Sequence, residues 1–157
     1  MYYLNEIKNY KSEYNPKEQF IFVYQLDENT IIEKVIKDSS KKFNFKINQL
    51  QLNRSDYIES FLFGIKNCQG VITDSFHGTI FSIMFDKPFI TFINRRRGKG
   101  RFDSLKEVFH LEKRIIDISM NNNLDINLLK EKPNVNKTLL NQLRAFSINY
   151  LKRNLDL

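Results

Sequence analysis

Residues 71–79 read Val-Ile-Thr-Asp-Ser-Phe-His-Gly-Thr, and this stretch is the most informative part of the chain. A short apolar run of strand type ends in a polar turn, and an apolar helix opens directly after it. In an open α/β sheet, ligands bind at the carboxyl end of a strand and the amino end of the next helix, because backbone N–H groups and the helix dipole point there. The stretch therefore predicts a strand, a helix and a ligand position between them.

The alternation of strand and helix continues on both sides of this stretch. Apolar runs of strand length lie at residues 20–24, 71–73, 89–93 and 115–118, and residues 45–52 alternate loosely between apolar and polar as a further strand. Apolar residues at helical spacing lie at residues 31–43, 58–65, 79–85, 102–109 and 134–154. The pattern predicts a three-layer, Rossmann-like α/β domain with a mainly parallel sheet of about five strands.

The length and composition indicate one folded domain. The chain has 157 residues, of which 41% are hydrophobic and 13% aromatic, and this composition excludes a disordered chain. Residues 1–18 are polar and carry a turn signal at Asn15-Pro16, so they are predicted to be a linker or part of an incomplete element. Residues 19–157 are predicted to be the Rossmann-like domain.

The sequence lacks the motifs of several common classes of metal-binding, nucleotide-binding and hydrolase sites. The chain has one cysteine and two histidines, so no internal disulfide is possible and no zinc-type ligand cluster, metal or cofactor is predicted. Cys68 is interpreted as a buried thiol. Walker A, GxGxxG, HExxH and GxSxG patterns are absent. The absence of a leader and of an apolar run of about 18 residues predicts a cytoplasmic protein with no transmembrane segment.

Positive charge is concentrated in one part of the chain. The formal net charge is +7, and residues 94–114 contribute +5 of it through eight basic and three acidic residues. This concentration suits an anionic ligand, a phosphorylated substrate, nucleic acid or an anionic membrane, and a solvated loop remains the alternative. Arg114 is interpreted as a surface cation.

The polar turn supplies the candidate chemical groups. His77 is a candidate general acid or base, because histidine changes charge near neutral pH, with a packed histidine as the alternative. Asp74 and Ser75 could orient His77 or bind a ligand hydroxyl, and at least one of them is expected to cap the helix. Gly78 permits either close approach of a ligand or tight packing of helix on strand. Thr79 closes the turn and is included as a substrate-binding candidate.

The basic loop follows the next strand along the chain. In a parallel sheet its residues would lie at the same edge as the polar turn, and arginine matches carboxylate and phosphate oxygens. The loop contains Arg95, Arg96, Arg97, Lys99 and Arg101.

The segment VITDSFHGTIFSIMFDKPFITF, followed by RRRGKGRFDSLKEVFHLEKRI, resembles the carboxyl-terminal half of the polysaccharide pyruvyl transferase family. The resemblance covers residues from about 18 to 118. It implies one Rossmann-like half of a GT-B-like fold, in which two such domains face a cleft. It also implies transfer of a pyruvyl group from phosphoenolpyruvate to sugar hydroxyls of cell-surface polysaccharides, as in exopolysaccharide biosynthesis.

The resemblance implies roles for individual residues. His77 matches the family's histidine and would transfer protons. Arg97, Gly98 and Arg101 match the family's segment after the following strand, where they and Lys99 would bind the donor. Ser75 stands where other branches carry an arginine, so the basic loop is expected to supply that cation.

The resemblance also implies that this chain corresponds to the donor-side half of an enzyme. Family members usually carry an amino-terminal domain before this region, so the chain would be a fragment, a split partner or an excised domain, active with a missing half or as a homo-oligomer. Two alternatives remain open. One is half of a sugar-nucleotide glycosyltransferase, for which no ribose-binding carboxylate stands out, and the other is a non-catalytic basic module that binds nucleic acid or an anionic polymer.

Overall fold

The computed structural model describes residues 18–53, 55–93, 98–119 and 124–155. Within these ranges five strands form one parallel sheet in the spatial order β2-β1-β3-β4-β5. The strands are β1 (Phe20–Tyr24), β2 (Lys46–Gln49), β3 (Gly70–Thr73), β4 (Phe89–Ile93) and β5 (Ile115–Asp117). The α/β class and the layered, Rossmann-like architecture predicted from the sequence are confirmed.

Helices connect these strands and form the outer layers. They are α1 (Thr30–Phe43), α2 (Tyr57–Asn67), α3 (Phe76–Met84), α4 (Lys99–Phe109), a 3-10 helix (Ile126–Leu129) and α5 (Lys137–Asn154). Side-chain chemistry fixes the start of α1, since Asn29 Oδ1 accepts hydrogen bonds from the N–H groups of Ile31 and Ile32. Its end is set by Asn44, which takes a left-handed conformation with φ 53°.

Four of the strands, β1, β3, β4 and β5, are buried on both faces, which explains why they read as continuous apolar runs, whereas the edge strand β2 is partly exposed. Alternate β1 residues divide between the faces, with Phe22 on the side of α2, α3 and α4 and Val23 on the side of α1 and the 3-10 helix. Both side chains are fully buried. The site therefore stands on a sheet that is covered on both faces.

The order of the strands creates a switch point. The chain proceeds from β1 outward to β2 and then returns to β3 on the other side of β1, so the connections after β1 and β3 leave in opposite directions. The crevice above the carboxyl ends of these two strands is the usual ligand position in such sheets. Residue Asp74, directly after β3, lies at this crevice.

The structure corrects several predicted boundaries. Helix α3 begins at Phe76 instead of residue 79, because Ser75 caps it. Helix α4 begins at Lys99, so Lys99 and Arg101 belong to its first turn and not to a loop. Strand β2 is shorter than residues 45–52. Helix α5 begins at Lys137 instead of residue 134, and none of its residues is fully buried, although its apolar residues recur at helical spacing.

Arg114 is buried, so its interpretation as a surface cation is wrong. Its guanidinium donates hydrogen bonds to four backbone carbonyls, at 3.2 Å to Phe89, 2.8 Å to Leu128, 2.7 Å to Glu131 and 3.3 Å to Lys132. Arg114 thus joins β4 to the segment that contains the 3-10 helix. The buried state predicted for Cys68 is confirmed, since 2% of it is exposed.

Candidate functional site

An open pocket of about 400 Å³ lies at the switch point of the sheet. It takes residues from the ends of β1 and β3 and from the first turns of α3 and α4. The lining residues are Leu26, Asp74, Ser75, Phe76, His77, Gly98, Arg101 and Phe102. Two helices begin at this pocket, and the first N–H groups of a helix have no acceptor within the helix, so both helix ends favour an anion there.

Asp74 fixes the loop that follows β1. Its two carboxylate oxygens accept hydrogen bonds from the backbone N–H groups of Leu26, at 2.7 Å, and Asp27, at 2.9 Å. Burial raises the pKa of the Asp74 carboxyl above its usual value, although the two backbone donors act in the opposite direction. The side chain is thus engaged in joining the β1 loop to the end of β3.

Hydroxyl groups hold the turn between β3 and α3. Thr73 Oγ1 donates to the carbonyl of Tyr24 at 2.6 Å and accepts from the N–H of Ser75 at 3.0 Å. Ser75 Oγ accepts from the N–H of Gly78 at 3.4 Å, which makes Ser75 the cap of α3, as expected for at least one of the two polar residues. This network positions the residues that follow.

His77 is exposed at the second residue of α3 and contributes to the pocket lining. The ring of its neighbour Phe76 lies 6.2 Å from the imidazole, in an edge-to-face arrangement, and 5.6 Å from the ring of Phe102. Because Phe102 is buried in α4, the Phe76 ring is held between the two helices. An imidazole that is exposed beside a fixed ring can reach a bound ligand.

Arg101 reaches the same aromatic ring from α4. Its guanidinium carbon lies 4.9 Å from the centre of the Phe76 ring, a cation–π distance. Gly98 takes a left-handed conformation with φ 89°, and a Cβ there would lie 3.1 Å from Nη2 of Arg101. The absence of a side chain at Gly98 therefore leaves room for Arg101 beside the start of α4.

The structure brings five of the predicted site residues together around this pocket: Asp74, Ser75, His77, Gly98 and Arg101. Gly78 and Thr79 are buried behind it, where the Thr79 hydroxyl donates to the Ser75 carbonyl at 2.9 Å and lies 2.8 Å from the Thr91 hydroxyl. Gly78 packs against Thr73.

Two further predicted binding residues, Lys99 and Arg97, are not among the described residues that line the pocket. Lys99 is on α4 but is not part of the pocket lining. Arg97, like Arg95 and Arg96, lies outside the described residues. The predicted linker at residues 1–18 also falls outside them, except for its last residue.

Three lining residues were missed by sequence reasoning: Leu26, Phe76 and Phe102. Phe76 stands between Ser75 and His77, so an aromatic residue inside a polar turn was the available signal. Phe102 was interpreted only as a core residue of its helix, and Leu26 follows a strand without any polar pattern to mark it.

In the described ranges, no group of three or more His, Cys, Asp or Glu side chains is arranged to hold a metal ion. None of the described helices has the length and apolar character needed to cross a membrane.

The sequence model of the polysaccharide pyruvyl transferase family matches residues 2–96, well over half of the chain. The chain belongs to the polysaccharide pyruvyl transferase family. Searches of curated proteins and of solved structures find no match. The segment matched to this transferase family includes β1 to β4 and His77, whereas Gly98, Lys99 and Arg101 lie after its end.

Membership of a polysaccharide pyruvyl transferase family indicates a sugar-like acceptor substrate. In this member, the pocket at the switch point combines an exposed imidazole, a guanidinium and two helix N-termini. These groups can bind an anion and transfer a proton beside it.

Proposed function

We propose that this protein takes part in transferring a pyruvyl group from phosphoenolpyruvate to hydroxyls of a polysaccharide, and that the donor binds in the pocket at the switch point. The observation that carries the proposal is the convergence of His77 and Arg101 on the ring of Phe76, at a pocket where α3 and α4 both begin. A proton-transfer group and a cation thus line the same pocket, at 6.2 Å and 4.9 Å from the centre of the Phe76 ring.

The donor requires positive charge, because phosphoenolpyruvate carries a carboxylate and a phosphate. Arg101 would bind one of these anions, and the N-termini of α3 and α4 would support the other. The carboxylate of Asp74 should repel this anionic donor less than a free carboxylate would, because both of its oxygens accept hydrogen bonds from the loop after β1. Arg97, which resembles a donor-binding residue of the family, belongs to the same proposal.

The reaction balances without a further reactant. Two sugar hydroxyl oxygens form bonds to C2 of phosphoenolpyruvate, C3 gains a proton and becomes a methyl group, and the bond from C2 to the phosphate oxygen breaks. Of the two hydroxyl protons, one is accounted for at C3 and the other leaves with inorganic phosphate. His77 would carry a proton between a hydroxyl and C3, and Arg101 would stabilise the leaving phosphate.

The donor-binding part of the proposal is tested by titrating the full chain with phosphoenolpyruvate in a calorimeter. Arg101→Ala should weaken binding roughly tenfold or more, because it removes a charge-assisted hydrogen bond. The matched control is Arg144→Ala, since Arg144 is exposed on α5 away from the pocket. Equal affinities for the wild type and the Arg101→Ala variant would contradict the assignment of this pocket.

The proton-transfer part is tested by measuring phosphate release from phosphoenolpyruvate with saccharide acceptors, both with the chain alone and with an amino-terminal half from the same family added. His77→Asn should slow release about 10²- to 10⁴-fold, the usual contribution of general acid–base catalysis, and this loss should be much larger than any loss of donor affinity. Undiminished release by this variant, or no release by the wild type in any combination, would refute the role of His77.

A further inference from the structure

A second and larger pocket, of about 660 Å³, lies beside the first one at the same edge of the sheet. It is formed where β1 and β2 end, against the first half of α1. Leu26 lines both pockets, so the loop after β1 is a common wall between them. The position of this wall is fixed by the two hydrogen bonds that Asp74 accepts from the loop.

The lining of the second pocket is rich in amide side chains. Gln49, Gln51 and Asn53 lie in and after β2, and Gln25 lies after β1, where its amide donates to the carbonyl of Asp27 at 2.7 Å. An amide side chain both donates and accepts hydrogen bonds, as does a sugar hydroxyl, so a row of amides suits a ligand with several hydroxyls.

The charge of the second pocket is opposite to that expected for a phosphate site. Among the described residues that line it, three are acidic, Asp27, Glu28 and Glu33, and one is basic, Lys37. A negatively charged ligand would be repelled by this lining, whereas a neutral or positively charged one would be accepted. The two neighbouring pockets therefore differ in the ligands they favour.

We propose that the second pocket binds a neutral or amino sugar residue of the acceptor polysaccharide, next to the sugar residue that reacts at His77. This inference rests on the proposed function, because a polysaccharide acceptor extends beyond the sugar that reacts and the two pockets share Leu26 at one edge of the sheet. Leu26 separates the two, so the sugar in the second pocket and the sugar that reacts are different residues of one chain.

The test uses the full isotopically labelled chain and follows its backbone amide signals by NMR during titration. The probes are galactosamine, methyl galactoside, galacturonate, uridine monophosphate and inorganic phosphate. Galactosamine and methyl galactoside should shift the amide signals of residues 25–28 and 49–53. Galacturonate should bind about fivefold more weakly than the neutral methyl galactoside, as expected when one negative charge on the ligand is repelled near a protein surface.

Two substitutions connect the binding to the lining. Gln51→Ala should weaken methyl galactoside binding several-fold, and Glu33→Gln should reduce the discrimination against galacturonate. The matched controls are Gln142→Ala on α5 and Glu59→Gln on α2, two exposed residues outside this pocket. All four replacements are at exposed positions, so the folded chain is retained for the measurement.

The outcomes separate this inference from the proposed function. Inorganic phosphate should shift the amide signals of residues 76–77 and 98–101, and its failure to do so would count against the donor pocket alone. The acceptor inference is overturned if no sugar shifts residues 49–53, if galacturonate binds as tightly as galactosamine, or if uridine monophosphate binds the second pocket more tightly than the sugars do.

Discussion

Gly78 and Thr73 determine how closely α3 approaches the end of β3. A Cβ added at Gly78 would lie 2.5 Å from Oγ1 of Thr73, which is too close for two atoms that are not bonded. The same oxygen is held by hydrogen bonds with Tyr24 and Ser75, so it cannot move aside freely. Of the two uses that the sequence leaves open for Gly78, the structure shows tight packing.

Gly78→Ala should therefore lower the free energy of unfolding by about 1–3 kcal/mol, as is usual when an atom is forced into a packed interior. Urea denaturation followed by circular dichroism measures this change. Gly100→Ala is the control, because a Cβ at Gly100 meets no atom within 4 Å and alanine favours the helix by up to about 1 kcal/mol. A stability for the Gly78→Ala variant at or above that of the wild type would contradict this packing.

Single residues also show what sequence reasoning can find. His77 and Asp74 were placed at the site because the pattern of an apolar run followed by a polar turn locates the edge of a sheet. The contacts of Asp74 were beyond prediction, since its partners Leu26 and Asp27 are more than forty residues away. Arg114 was misinterpreted because the groups that accept its hydrogen bonds are backbone carbonyls of residues distant in the sequence. Every residue has a backbone carbonyl, so the sequence does not reveal which ones meet a buried guanidinium.

At the scale of elements, the starts of helices were harder to predict than their existence. Helix α4 follows Gly98, whose positive φ begins the helix without a capping side chain, so the usual signal was missing. Helix α3 begins with Phe76 and His77, which were interpreted as part of a turn. Strands β1 and β4 match their predicted bounds because a strand buried on both faces is continuously apolar.

Helix α5 differs from the other helices in how little of it packs. Its first apolar residues, Leu139 and Leu140, are partly buried against the core, whereas Phe146 is 71% exposed. The predicted apolar stripe thus exists in the sequence but lies mostly in solvent. The stability of the domain should depend little on the distal part of this helix.

Phe146→Ala should change the free energy of unfolding by less than about 0.5 kcal/mol, as is usual for an exposed position. By contrast, Phe102→Ala should cost about 3–5 kcal/mol, because Phe102 is 1% exposed and its loss leaves a cavity beneath Phe76. Thermal or chemical denaturation of the two variants measures the difference. A large loss of stability from Phe146→Ala would show that α5 packs more extensively than described.

At the scale of the whole molecule, Arg114 holds the segment after β5 against the sheet. Four backbone carbonyls from β4 and from residues 128–132 accept its hydrogen bonds, and the 3-10 helix closes the face of the sheet beside α1. The sheet and this segment should therefore unfold together.

Arg114→Met should lower the free energy of unfolding by about 2–4 kcal/mol, because it removes the donors from one buried and three part-buried carbonyls, and a fully buried carbonyl costs about 1–3 kcal/mol when unpaired. Arg114→Lys should recover only part of this loss, since lysine cannot reach four acceptors with a planar fork. Arg144→Met, at an exposed position, is the control. Hydrogen exchange should show faster exchange for the 3-10 helix in the Arg114→Met variant, and unchanged exchange there would contradict the coupling.

The two hydrogen bonds that Asp74 accepts from the loop after β1 limit what mutagenesis at this position can show about catalysis. Asparagine offers one acceptor oxygen where the β1 loop presents two N–H groups, and glutamate is longer by a methylene, so no other side chain reproduces the pair of bonds. A saturation screen at position 74 would therefore reject nearly every replacement, even if the carboxylate never touched a substrate. Intolerance to substitution at Asp74 reports on loop architecture and cannot be taken as the signature of a catalytic acid.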